Sequence, residues 1–507
     1  MEEERAKSAG FLLVALVLAA LLPTSPAAAL PPPGPTPPLE TTGRWITDAD
    51  GRAVIVHGVN MVYKRPPYYP GAIGFNDPDA KFLRRHGFDA VRLGVIYAGV
   101  EPRPGRYSAG YLAHIATTQR ALARQGIFSL LDFHQDLYAE KFAGEGFPGW
   151  AILDDGAPTE PLTGFPATYV TSPGENAAWD SLWSDAAGPG GVGLQERFAA
   201  AWADVARRFV KRGRVMGYDP LNEPWPGNDW PTCFSPAGCP AFEQNRLGPF
   251  EARVVRAIRR VDRTHTVWYE PVVTANSGTP YYTPHPSDPN VGFNFHDYCL
   301  AGTANPPCDA LEQTTVDHAA EHAAASHEPA LLSEFGATDD LPTIARMVDR
   351  SDRAMIPWMW WHYCGCDDPT TSGPGDTQAI VHDPRRAPHG PNVFHAKLAA
   401  LDRPYPQAIA GTPLSFSFDR ATGEFHLRYS TRAPGGKRLP RDVETVIYVP
   451  RIHYRTGYHV AVRGAAVVTG QPGSRYLRLA RRPGARSVSV KIVPVTLRSP
   501  RQSRGAQ

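Results

Sequence analysis

Cysteine and methionine are scarce, six of each in 507 residues. The cysteines form no two-plus-two CxxC arrangement, so a zinc ribbon is excluded. Long apolar runs are nearly absent too: the one from Phe11 to Leu22 is a dozen residues, short of the roughly 20 that a membrane span needs. No Gly-rich phosphate loop follows the first strand-like segment, which argues against an open doubly wound sheet. Acidic residues are thin at one end. From residue 401 onward there are 19 Lys and Arg against 5 Asp and Glu, a surplus of 14, which leaves −12 on residues 1–400 of a chain whose total is +2.

What is present begins with that apolar run. It ends in Ala27-Ala28-Ala29, the shape of a secretory signal peptide over residues 1–29, although Glu2, Glu3 and Glu4 outnumber Arg5 and Lys7 where a basic start is usual. Secretion is the expectation, with a retained anchor as the alternative. Export makes disulfides available. The cysteines fall in close pairs, Cys233 with Cys239, Cys299 with Cys308, and Cys364 with Cys366; the third, one residue apart, reads as sterically awkward for a bridge. His318 and His322 stand four apart on an expected helix, but their Ala-rich surroundings supply no third ligand and they read as surface histidines. No metal and no cofactor is expected.

PPPGPTPP places a stiff linker over residues 30–43. From residue 44, short β-branched or aromatic runs alternate with longer helical ones. The runs are 53–60, 89–95, 127–134, 215–224, 266–271, 291–298, 329–336 and 355–363. Asp77-Pro78 opens a helix that Gly87 closes, Ser108 opens another that Gly126 closes, and others follow near 195–213, 241–262, 309–327 and 339–354. Eight buried-type strands separated by helices specify an α/β chain with a (β/α)8 TIM barrel over 44–400, whose chemistry belongs at the C-terminal strand ends. Beyond Leu401 the helical signal stops. Six segments alternate apolar and polar residues, which predicts an all-β sandwich over 401–500 and a disordered tail over 501–507.

YDPLNEPW, residues 218–225, puts Glu223 where a buried run ends. Alone it reads equally as a solvated turn. A barrel, however, predicts ionisable groups at other strand ends as well. His134 and Asp136 follow the third strand, Asn222 and Glu223 the fourth, His296 and Tyr298 the sixth, Glu334 the seventh and Trp361 the eighth, while Arg92 sits among Val91, Leu93 and Val95 in the second. One such charge buried unpaired costs several kcal/mol; a shared polar site is the economical explanation. Two glutamates above an aromatic floor suit retaining glycoside hydrolysis. On that reading Glu334, with Arg92 and Tyr298 as donors, is held ionised as nucleophile. Glu223, near His296, starts protonated as the acid, and the Asn222 amide donates to a sugar 2-hydroxyl.

LNEP at the fourth strand, SEFG at the seventh and DFHQD at the third resemble the clan A glycoside hydrolases of family 5. More narrowly, LLDFHQDLYAEKF, GYDPLNEPW and LLSEFGAT resemble the secreted endoglycoceramidase group, which cleaves the β-glycosidic bond between oligosaccharide and ceramide and also carries a C-terminal β-sandwich. The resemblance implies Glu223 as acid/base and Glu334 as nucleophile, with Arg92, His134, Asn222, His296, Tyr298 and Trp361 as the supporting shell. It implies Lys64 and Asp136 as the holders of the sugar next to ceramide. Trp358 and Trp360 share a strand face opposite to Trp361, so one of the two sets points inward.

The loops MVYKRPPYYPGAIGF and KFAGEGFPGW are long and aromatic, and they suit an apolar shelf for a lipid aglycone. The implied partner is a glycolipid at a membrane or micelle surface, toward which the basic C-terminal domain would be drawn. No nucleic-acid motif accompanies its arginines, no obligate protein partner is indicated, and a monomer is expected. The rivals are a family 5 β-glucanase or β-glucosidase acting on a polysaccharide or steryl glycoside, and a non-catalytic glycan- or membrane-binding protein.

Overall fold

The computed structural model describes residues 33–298, 306–371, 376–469 and 473–495. The expected signal peptide (1–29), the tail (501–507) and Cys299 lie outside them. Among the described residues no helix is long and apolar enough to cross a membrane.

Eight parallel strands close into a barrel: β1 His57–Met61, β2 Ala90–Ile96, β3 Phe128–His134, β4 Val215–Asp219, β5 Thr266–Tyr269, β6 Val291–Asp297, β7 Ala330–Phe335 and β8 Trp358–Trp360. Trp358 and Trp360 of β8 pair with His57 and Val59 of β1 and complete the ring. The helices start where their capping residues stand. Ser108 accepts the Tyr111 amide ahead of helix Ala109–Arg124, and Asp340 accepts that of Thr343 ahead of Leu341–Ala354, each satisfying an otherwise orphaned first-turn donor. Inside the barrel, the strand starts contribute an apolar plug that includes Ala90, Phe128, Leu130, Met216, Trp268, Leu331 and Met359. The polar side chains therefore occupy the layer above it.

Two boundaries differ from expectation. Leu39–Thr42, assigned to the linker, is a strand paired antiparallel with Trp45–Asp48, the turn being taken by Gly43 at φ 55°, a conformation glycine adopts without steric cost. The run 53–60 is split: Ala53–Val54 leaves the barrel and pairs with Tyr405–Ile409, and only from His57 does the chain enter β1. The N-terminal strands thus extend a seven-stranded sheet of the C-terminal domain, which faces a four-stranded sheet of Thr412–Asp419, Glu424–Ser430, Ser487–Pro494 and Tyr458–Arg463. Leu39 and Ile46 also pack into the barrel plug. Alternation could not reveal this, because LETT and WITD are short and largely polar, and Ala53–Val54 runs without a polar break toward β1 in an apolar stretch.

Candidate active site

Arg92 organises the polar layer. It projects from β2 into the barrel and is fully buried. Its guanidinium lies 3.0 Å from Asp132 and 2.8 Å from Asp219, donates to Glu334, and donates to Asn222 Oδ1 at 2.9 Å. Burial opposes its charge, but Asp132, Asp219 and Glu334 outweigh that and keep it protonated. The planar guanidinium holds its donors in a rigid fork and so fixes the directions of several acceptors at once, which the freely rotating ammonium of a lysine does not. The Asn222 amide group donates to the Gln135 carbonyl at 2.9 Å, so one of its hydrogens goes to the protein and is not available to a sugar.

Glu334, near the end of β7, accepts from Arg92 and, at 3.1 Å, from the Tyr298 hydroxyl. Burial pushes its carboxyl up to about 7, opposed by His296 and Arg92 and reinforced by Glu223. Glu223 stands just beyond β4 with a left-handed backbone, φ 45°. Its Oε1 accepts from the Asn276 amide at 2.7 Å and lies 2.8 Å from His296 Nδ1. A carboxylate oxygen of Glu223, one of Glu334 and a ring nitrogen of His296 all lie within 4.8 Å of one another. The approach of the two acids is closer than the carboxyl separation of about 6.5 to 9.5 Å that suits an inverting hydrolase, and the facing ionisable groups make the site a place for proton transfer and nucleophilic attack.

A second buried cluster adjoins it. Lys64, beyond β1, meets Asp136 at 2.5 Å, Asp368 at 3.1 Å and the Thr370 hydroxyl at 2.7 Å. Its ammonium lies 4.7 Å from the Trp361 ring centroid. His134 stacks on the same indole at 5.2 Å and lies 2.9 Å from Asp132 through Nδ1. Burial disfavours its charge, yet Asp132 outweighs burial and pushes His134 up to about 10. Trp361 is therefore the tryptophan that lies among polar groups, with its Nε1 donating to Gln378 at 3.1 Å. Trp358 and Trp360 are fully buried and pack edge-on against Phe335.

Ten expected residues are accordingly brought together: Lys64, Arg92, His134, Asp136, Asn222, Glu223, His296, Tyr298, Glu334 and Trp361. Several others were missed. Glu270 at the end of β5 and Asn276 in the following loop both contact the Glu223–His296 pair, and Asp368 reaches the site from a loop after β8. The strand-end rule that found the others applied equally to Glu270; nothing local marks Asn276 or Asp368.

Some expectations fail. The loop KFAGEGFPGW does not offer an aromatic shelf. Asp136 and Glu145 pair across its base, and Phe142 and Phe147 turn inward, the latter stacked on Tyr138 at 4.1 Å, because burying those rings against the surrounding helices recovers more apolar area than exposing them. Exposed apolar side chains are found instead at Val170 and Phe234, in the segments that follow β3 and β4. Trp225 is structural: it stacks on Tyr169 and donates to Asn176. Cys364 and Cys366 are bridged, across a Cα separation of 5.1 Å, as are Cys233 and Cys239 at 4.4 Å; the left-handed backbone of Cys366, φ 57°, brings the closely spaced pair within reach. His322 is half-buried, with its ring 3.0 Å from the Tyr269 hydroxyl, so it belongs to the packing of its helix and not to the surface.

A family model described as cellulase (glycosyl hydrolase family 5) matches residues 47–367, more than half of the chain. The chain belongs to glycoside hydrolase family 5. The model for the family 5 C-terminal domain matches residues 403–492, so both halves of the molecule lie within this family. Endoglycoceramidase I of Rhodococcus hoagii is 33% identical over 482 residues, covering 91% of this chain and 89% of that protein. An endoglycoceramidase of Cyanea nozakii is 28% identical, covering 82% of this chain and 85% of its own length. Among solved structures, endo-glycoceramidase II from Rhodococcus sp. in complex with ganglioside GM3 superposes with a TM-score of 0.73 at 27% identity, over 90% of this chain and all of that one.

Proposed function

We propose that this family 5 glycoside hydrolase is a secreted, retaining endo-β-glycosidase that releases the oligosaccharide of glycosphingolipids from ceramide. The observation that carries the mechanism is the close approach of Glu223 and Glu334, within 4.8 Å with His296. Direct attack needs carboxyl groups about 5 to 5.5 Å apart, whereas an inverting enzyme holds them roughly 6.5 to 9.5 Å apart to admit water. Glu334, gripped by Arg92 and Tyr298, attacks the anomeric carbon. Glu223 gives a proton to the departing oxygen, and a water activated by Glu223 then releases the sugar. Lys64, Asp136 and Trp361 form a charged, aromatic-backed wall suited to sugar hydroxyls. The lipid aglycone is supported by the similarity to the endoglycoceramidases.

Incubation with a ganglioside, with lactosylceramide and with carboxymethylcellulose tests the reading. Intact oligosaccharide plus ceramide is the expected product. Glucose or cello-oligosaccharides alone would point to a glucanase or glucosidase, and binding without product would remove the catalytic reading. With azide, a Glu334→Gly variant should yield the α-glycosyl azide and a Glu223→Gly variant the β-azide; the reverse pattern would exchange the two roles.

A further inference from the structure

We propose that Glu270 is a positioning residue that holds Glu223 in place and keeps a transferable proton on the Glu223–His296 pair. The proposal rests on the reading of Glu223 as acid/base. Glu270 is buried at the end of β5. Its Oε2 accepts the backbone amide of Glu223 at 2.9 Å. Its Oε1 lies 2.7 Å from His296 Nε2, while the other ring nitrogen, Nδ1, lies 2.8 Å from Glu223 Oε1. One carboxylate therefore holds Glu223 twice, by its main chain directly and by its side chain through the imidazole.

The main-chain contact matters because Glu223 has φ 45°, a conformation that a non-glycine residue keeps only where its surroundings impose it. The imidazole contact matters for charge. Arg92 faces Glu270 from β2, Asp219 from β4 and Glu251 from helix Gly248–Arg259. Glu334 faces His296 from β7 at 3.6 Å. Arg92 is engaged by Asp132, Asp219 and Glu334, and burial pushes Asp219 and Glu251 toward their neutral forms. Glu270 is thus the carboxylate in contact with the far side of the ring. Burial opposes a charge on His296, but Glu270 and Glu334 hold its pKa well above the ordinary value.

The resting group then contains one proton that can sit on Nδ1 or on Glu223. As Glu334 bonds to the anomeric carbon and the glycosidic C–O bond breaks, that proton passes through Glu223 to the leaving oxygen. In the second step water gives a proton back to Glu223, its oxygen bonds to the anomeric carbon, and Glu334 departs as carboxylate. Without the Glu270 charge the pair gives up its proton at lower pH.

The test compares wild type, Glu270→Gln and Glu270→Ala on a dinitrophenyl β-lactoside, whose leaving group needs no proton, and on a methylumbelliferyl β-lactoside, which has a poorer leaving group. Gln keeps an acceptor for the Glu223 amide and replaces the carboxylate oxygen that faces His296 by a neutral amide. The alkaline limb of kcat/KM on the poorer substrate should move at least about one pH unit lower, roughly a tenfold loss on that flank. KM should stay within about threefold, and first-turnover rates on the dinitrophenyl substrate should stay near wild type. Ala should lose about 10²-fold in kcat/KM on the poorer substrate, a loss that azide leaves in place because it attacks only the glycosyl-enzyme, whereas azide should raise the steady-state rate on the dinitrophenyl substrate. An unmoved limb in Glu270→Gln, with a wild-type melting temperature, overturns the proposal; so does an equal loss on both substrates. If Ala does not fold, Gln decides. A wild-type protein that hydrolyses no β-glycoside overturns the functional reading instead, and this inference with it.

Discussion

The barrel mouth and the C-terminal sandwich treat charge in opposite ways. At the mouth, Arg92, Lys64, Asp132, Asp136, Asp219, Glu270, His296 and Glu334 are all buried, each within ion-pair distance of another. In the sandwich the alternating strands send charged residues outward, as in Tyr458–Arg463, where buried and more exposed positions alternate, and the ion pairs there, such as Lys491 with Glu424, are substantially exposed. A buried charge without its partner costs several kcal/mol, whereas an exposed pair contributes about 0 to 1. Buried charge is therefore most concentrated at the barrel mouth, and that is where chemistry is expected.

The largest effect that would break this contrast is at Glu334. Glu334→Gln should lower kcat/KM by at least about 10³-fold on every substrate, measured alongside a melting curve that shows a folded protein; near-normal turnover would remove the nucleophile. Next comes Lys64→Met, which leaves Asp136 and Asp368 facing each other without a cation. A loss on the order of 10² in kcat/KM is expected, on oligosaccharide substrates and on a monosaccharide aryl glycoside alike, since both present the sugar next to the scissile bond.

The pH dependence sharpens the comparison further. Burial sets the Glu334 carboxyl at about 7, and only its ionised form attacks, so kcat/KM should fall as pH drops below that value. Because Glu223 contributes to the upward shift, Glu223→Gln should move this acid limb to lower pH, read on an activated aryl glycoside. A limb that stays put would show that the two carboxylates do not interact. Stability should respond at His134. Its folded value of about 10 exceeds the unfolded value near 6.5, so its contribution is complete below about 6.5 and is lost as pH rises toward 10. The melting-temperature gap between wild type and His134→Gln should therefore be widest near pH 6 and close toward pH 10.

The smallest effect belongs to the sandwich. Replacing exposed Arg455, Arg463 and Arg482 together by Ser should leave turnover of a soluble aryl glycoside within about twofold. If that surface meets anionic membranes, the same variant should sediment less with phosphatidylserine vesicles, by a margin that shrinks with salt. Equal sedimentation would leave the basic surface with no part in docking.

Both catalytic candidates were legible because a strand end that carries an ionisable residue contradicts its apolar surroundings, and the contradiction recurs on the third, fourth, sixth and seventh strands. Tryptophan placement was only half legible: period two separates Trp361 from Trp358 and Trp360, but not inside from outside. Asn276 and Asp368 were illegible, since both come from loops whose positions depend on what they pack against. The shelf expected from KFAGEGFPGW failed for the same reason, because composition records that rings are apolar and not which surface covers them.

The sequence by itself determined the element order, the eight strands of the barrel and the two glutamates, since periodicity, capping residues and misplaced charges are local signals. Only the tertiary structure decided that strands between residues 39 and 54 join the sandwich sheet, that Arg92 binds three carboxylates, and that Glu270 reaches Glu223 both directly and through His296. Those facts depend on residues far apart in the chain meeting at distances of 3 Å or less, and local sequence carries no record of distance.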